Sequence, residues 1–235
     1  MKHTVLLLHG ALGTEAQFKP LKRELPPFYD VHSFSFGGHG GQPLPAEPSM
    51  KQLVHEIRQY VLDKHLEPVH VLGYSMGGYA ALAAAVAWPE LFRSITTLGT
   101  KFDWTPASAA QATSFLDATT MREKVPQYAE QLEQLHAPTP LPELLAATAA
   151  IMRGLGDAPL LTAHNLSTLE VPVQVLVGEL DKTAGVDASR AYADYLPRGT
   201  FEIIMNTPHP LEKVNPDLLV NRLARFIELV QEGMA

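Results

Sequence analysis

Strand patterns recur near residues 4–8, 30–35, 69–74, 94–99, 172–178 and 200–205, the clearest of them, such as Thr4-Val5-Leu6-Leu7-Leu8, being short apolar runs suited to a buried strand. Between them lie longer stretches whose apolar residues repeat at helical spacing. Ser49 and Gln52 stand at capping-box spacing, and Leu53, Val54, Ile57, Tyr60 and Val61 make one stripe behind them. Tyr79 to Ala87 is nearly all Ala, Leu and Val, which suits a buried helix, and Trp88-Pro89 ends it. Asn215-Pro216 offers an N-cap and a first-turn proline to a last helix, with Leu219, Leu223, Phe226, Ile227 and Val230 as its stripe. Strand and helix in alternation predict an α/β fold with a mostly parallel sheet of about six strands and crossover helices.

The alternation stops from about 101 to 168. Helical patterns near 107–117, 120–135 and 142–154 are separated by proline-rich turns such as Ala137-Pro138-Thr139-Pro140, and no strand pattern intervenes. The expected organisation is therefore a core of residues 1–100 and 169–235 carrying a helical insertion of residues 101–168.

Composition narrows the class without naming a chemistry. With 235 residues the chain holds one α/β domain plus an insertion, and 46% hydrophobic with 18% charged residues is ordinary for a globular protein. A formal net charge of −7 with no basic cluster disfavours nucleic acid and anionic membrane as partners. The absence of cysteine removes disulfides, thiolate catalysis and cysteine metal sites. Met1-Lys2-His3 runs straight into the first apolar segment, and no apolar stretch reaches the length of a membrane span. A cytoplasmic protein without signal peptide or membrane span is the expectation.

The candidate chemistry sits where strand patterns end. Gly73-Tyr74-Ser75-Met76-Gly77-Gly78 follows Val69-His70-Val71-Leu72 and precedes the alanine-rich helix, so Ser75 occupies a strand-to-helix turn. In so tight a turn, side chains two residues before and after the serine collide with neighbours, hence Gly73 and Gly77; Gly78 lets the helix lie close to the strands. The first strand pattern runs into His9-Gly10-Ala11-Leu12-Gly13, a loop able to turn sharply and present N–H groups. Val173-Gln174-Val175-Leu176-Val177 leads into Gly178-Glu179-Leu180-Asp181, and Phe201-Glu202-Ile203-Ile204-Met205 into Asn206-Thr207-Pro208-His209. Open α/β sheets carry their sites at this carboxyl edge. A serine hydroxyl needs a base within reach, and His209 is the candidate. Asp181 is the first choice to orient the imidazole, with Asp103 and Asp187 as rivals. The remaining histidines show no ligand spacing, and Phe36-Gly37-Gly38-His39-Gly40-Gly41 lacks the lysine of a phosphate loop, so no metal, nucleotide or other cofactor is expected.

Taken in the order Ser75, Asp181, His209, these motifs resemble the α/β-hydrolase superfamily, whose members place nucleophile, acid and histidine in that sequence. The chain is similar to small lidded serine hydrolases of the esterase and lipase type, although Pro208 stands where the family usually has glycine. The resemblance implies an α/β-hydrolase fold lacking the family's N-terminal antiparallel hairpin, with residues 101–168 as a helical lid. It also implies an oxyanion hole from the backbone N–H groups of Ala11 and Met76, and a structural His9 bracing its loop. The implied activity is cofactor-independent hydrolysis of a small carboxylic ester or thioester through an acyl-serine. Gly-Tyr-Ser-Met-Gly-Gly is similar to the menaquinone-pathway synthase as well, which uses such a triad for proton abstraction and elimination; Tyr79 here replaces the arginine that follows the glycines there. A non-catalytic ligand-binding protein on the same fold is the third reading. Leu12, Phe102, Trp104 and Ile151 are the expected substrate-binding residues. Over residues 101–170, eight acidic residues stand against four basic ones, so the expected substrate is neutral and apolar.

Overall fold

The computed structural model describes residues 3–234. Six strands, β1 (His3–Leu8), β2 (Tyr29–Phe34), β3 (Val69–Tyr74), β4 (Phe92–Leu98), β5 (Val173–Gly178) and β6 (Gly199–Ile204), form one sheet in the order β2-β1-β3-β4-β5-β6, and every neighbouring pair is parallel. Every parallel connection needs a crossover, so both faces are covered and the central strands are mostly buried. That is why they read as largely apolar runs.

Alternate residues of each strand serve different layers. Val5 and Leu7 pack with Leu72, Leu98 and Leu176 under α1 (Lys19–Glu24) and α10 (Pro216–Gln231). Leu6 and Leu8 face the other way with Val71, Ile95 and Val175, beneath α2 (Met50–Asp63) and α3 (Met76–Ala87). The caps read from the sequence are formed: Ser49 accepts from the Gln52 N–H at 3.2 Å, and Asn215 accepts from the Leu218 N–H at 3.2 Å.

Between β4 and β5 the chain builds α4 (Pro106–Thr113), α5 (Ala118–Lys124), α6 (Pro126–His136), α7 (Leu141–Asp157) and α8 (Ala163–Leu166). The helix expected over 120–135 is two helices. Pro126 takes the first turn of α6, and its ring forces Val125 out of the helical region, to φ −139°. Met121, Ala129, Leu132, Leu141, Leu144 and Leu145 give this insertion a small core of its own. After β5, α9 (Val186–Ala193) crosses back to β6. Residues at the carboxyl ends of β1, β3, β4, β5 and β6 thus converge on one edge, with the insertion above it.

Candidate active site

Ser75 links β3 to α3 with φ 51° and ψ −114°, a conformation costly for any residue bearing a Cβ. The turn is held from several sides: the Ser75 N–H donates to the Leu98 carbonyl at 2.8 Å, and the Ser75 carbonyl accepts from Thr100 Oγ1 at 3.1 Å. A Cβ at Gly73 would stand 2.5 Å from Gly78 Cα, and one at Gly77 would overlap the Leu8 carbonyl. Only glycine fits at either place, so the chain can turn with Ser75 at its apex.

Ser75 Oγ lies 3.2 Å from His209 Nε2, and His209 Nδ1 lies 2.8 Å from Asp181 Oδ2. Asp181 is buried, 5% exposed, and its other oxygen accepts the N–H groups of Thr183 at 2.8 Å and Ala184 at 2.9 Å. With Oδ1 so occupied, Oδ2 is the oxygen left for the imidazole. Tyr74 Oη donates to the His209 carbonyl at 3.1 Å, fixing the backbone of the histidine loop. Glu179 accepts from the Asn206 N–H at 2.9 Å and joins the two loops that carry Asp181 and His209. Gly99 passes beneath the pair at φ +60°; a Cβ there would meet Asp181 Oδ2 at 2.9 Å and His209 Nδ1 at 3.2 Å. Asp103 is exposed and paired with Lys101 at 2.5 Å, while Asp187 sits in the first turn of α9. The carboxylate that accepts the imidazole's hydrogen bond is Asp181.

Beside Ser75, the loop after β1 makes a turn closed by Gly13 N–H to the Gly10 carbonyl at 3.1 Å, with Leu12 at φ 57°. His9 is wholly buried: its Nε2 accepts the Phe36 N–H at 3.0 Å, so Nδ1 carries the proton and donates to the Gly10 carbonyl at 2.8 Å. Burial and the neighbouring His39 push the His9 imidazole down to about 3, so it stays neutral. From α6, His136 Nε2 donates to the Leu12 carbonyl at 3.0 Å while its Nδ1 accepts the Gly40 N–H at 3.0 Å. Two histidines far apart in sequence therefore brace the same loop. The Ala11 N–H has no hydrogen-bond partner among the described residues, and the Met76 N–H, in the first turn of α3, has none within its helix.

Ser75 opens into two cavities. One, of about 260 Å³, is lined by Ala11, Met76, Tyr79, Trp104, Ile151 and Lys182 among others. The second, of about 940 Å³, is lined by Leu12, Tyr128, Leu132, His209 and Glu212 among others. Trp104, Ile151 and Leu12 thus face a cavity. Phe102 does not: it is 1% exposed, stacked on Tyr192 at 5.1 Å and packed into the core beside α3. The acidic residues of the insertion line neither cavity, so their number does not set its charge. The smaller cavity instead carries Lys101, in the loop after β4, and Lys182, next to Asp181, both at the carboxyl edge of the sheet. Tyr79 Oη accepts the N–H groups of Leu160 at 3.0 Å and Leu161 at 3.1 Å, tying α3 to the far end of the insertion. Among the described residues, no group of three or more His, Asp or Glu side chains is arranged as metal ligands, and no helix is long and apolar enough to cross a membrane.

A sequence profile of the alpha/beta hydrolase family matches residues 5–222. The chain is 23% identical to the (E)-2-((N-methylformamido)methylene)succinate hydrolase of Acinetobacter baylyi, over 95% of this chain and 90% of the relative. It is 23% identical to a pimeloyl-[acyl-carrier protein] methyl ester esterase of Aliivibrio salmonicida, over 95% and 92%. Among solved structures, a thermophilic esterase of Thermogutta terrifontis superposes with a TM-score of 0.78 at 21% identity, over 98% of this chain and 91% of that one.

Proposed function

The chain belongs to the alpha/beta hydrolase family, and from that premise we propose that it is a cofactor-independent serine hydrolase of small carboxylic esters or thioesters. The observation carrying the proposal is the hydrogen-bonded line from Ser75 Oγ through His209 to the buried Asp181, next to the N–H groups of Ala11 and Met76. The names of the hydrolase and esterase relatives favour hydrolysis over elimination or mere binding.

In this mechanism His209 Nε2 takes the hydroxyl proton as Ser75 Oγ attacks the carbonyl carbon. Asp181 stabilises the imidazolium and keeps Nδ1 protonated. The oxyanion accepts from the N–H groups of Ala11 and Met76, donors held in place before charge develops. As the tetrahedral intermediate collapses, the bond to the leaving oxygen or sulfur breaks and His209 returns its proton to that atom. Water, deprotonated by His209, then attacks the acyl-serine. Collapse releases the acid and restores the Ser75 hydroxyl. The insertion acts as a lid that shields this chemistry from bulk water.

The test combines a fluorophosphonate probe with p-nitrophenyl esters and acyl thioesters. The expected result is turnover together with an adduct on the peptide containing Ser75. Labelling without turnover of any ester or thioester would favour elimination chemistry. An adduct on another serine would overturn the mechanism.

A further inference from the structure

We infer that the smaller cavity takes an acyl group ending in a carboxylate, so that the substrate is a half-ester or half-thioester of a short dicarboxylic acid. Lys182 and Lys101 are its counter-charges. The inference rests on the hydrolase reading above, because that mechanism assigns the two cavities. The leaving atom receives its proton from His209 Nε2, so the leaving group must lie on the side His209 lines. His209 lines the larger cavity and not the smaller one. The acyl chain therefore occupies the cavity of about 260 Å³ beside Met76, whose size suits a short chain.

Charge is divided between the two sides. The acyl cavity is lined by two lysines and no carboxylate, whereas the other is lined by Glu212 and no lysine or arginine. Lys101 Nζ is held by Asp103 at 2.5 Å and lies 5.4 Å from the Trp104 ring centre, leaving two of its three N–H donors for another partner. Lys182 has no ion-pair partner among the described residues. Its neighbour Asp181 cannot serve, since both oxygens are engaged by His209, Thr183 and Ala184. With one lysine paired and one not, the acyl side carries one uncompensated positive charge. A carboxylate placed there gains attraction, and the same group on the leaving side would meet Glu212. The division thus favours both an anionic acyl group and its orientation.

The experiment compares monoethyl adipate with the ethyl ester of adipamic acid, which has the same shape without the charge, and separately measures adipate binding to the Ser75→Ala protein by calorimetry. The kcat/KM ratio should favour the anionic ester by about fivefold, the size of one exposed ion pair, and shrink as salt is raised. Lys182→Gln should remove most of that preference and weaken adipate binding by a similar factor. An equal or reversed ratio in wild type, or no adipate binding, overturns the inference. Cleavage of both esters without preference leaves the hydrolase reading standing. If neither ester is cleaved while adipate binds in a Lys182-dependent way, the hydrolase reading falls and the anion site remains.

Discussion

At the scale of single residues, the site depends on how few alternatives each atom has. Asp181 Oδ1 is filled by two backbone N–H groups and Oδ2 by the imidazole. In Asp181→Asn an amide NH₂ must face one of those donors, so either the loop shifts or His209 adopts the wrong tautomer. The expected outcome is a kcat loss of roughly 10³–10⁴-fold in a protein that still folds, checked by kinetics and circular dichroism. Ser75→Ala should lose roughly 10⁴–10⁶-fold and all probe labelling, since triad members act as a unit. Gly99→Ala tests positioning rather than chemistry. The new methyl crowds Asp181 and His209 at a left-handed backbone position, so kcat should fall while KM for a good ester changes little. An unchanged kcat would show that the pair tolerates displacement.

At the scale of elements, the loop after β1 is held by a helix of the insertion. Replacing His136 by alanine leaves the Leu12 carbonyl and the Gly40 N–H without their partner. Both bonds are only part-buried, so each loss costs toward the low end of the about 1–3 kcal/mol of a buried group. His136→Ala should therefore lower both Tm and kcat; a loss of Tm with full kcat would mean the turn holds its shape unaided. Nothing in the local sequence marks His136, because its partners lie in two other loops and only the tertiary fold joins them. The central strands were legible for the opposite reason, since strands covered on both faces are mostly apolar, and the six expected ranges agree with the observed strands to within two residues. That Ser75, Asp181 and His209 meet at one sheet edge was readable because glycine spacing and strand-end placement are local signals. The break at Val125-Pro126 escaped because the apolar stripe continues across it in register. Phe102 misled because hydrophobicity alone does not distinguish a cavity wall from a core contact, and charge counted along the insertion says nothing about which face bears it.

At the scale of the whole molecule, buried histidines couple the fold to pH. His9, His39 and His136 lie in series, tilted and edge-on, with ring centres 5.2 Å and 5.4 Å apart, where the loop after β1, the loop after β2 and the insertion meet. Burial, reinforced by His39 and His136 at His9 and by His136 at His39, pushes His9 down to about 3 and His39 to about 4, and burial lowers His136. His70, in β3 and bound to Ser94 at 2.8 Å, is pushed by burial to about 4. In the unfolded chain a histidine takes up its proton near pH 6.5. Below that pH the unfolded state binds protons that the folded state refuses. The stabilising contribution is therefore full above about 6.5 and is lost as the pH falls toward 4 and then 3, at up to about 1.4 kcal/mol per pH unit for each group. Denaturant midpoints at pH 7.5, 6 and 5 should fall steeply over the last step. His39→Phe should flatten that fall, because it removes one titrating group whose Nε2 already has no hydrogen-bond partner. Equal midpoints at pH 7.5 and 5 would mean that the cluster opens to water and charges without unfolding, and the loop carrying Ala11 would then be the first place to look for lost activity.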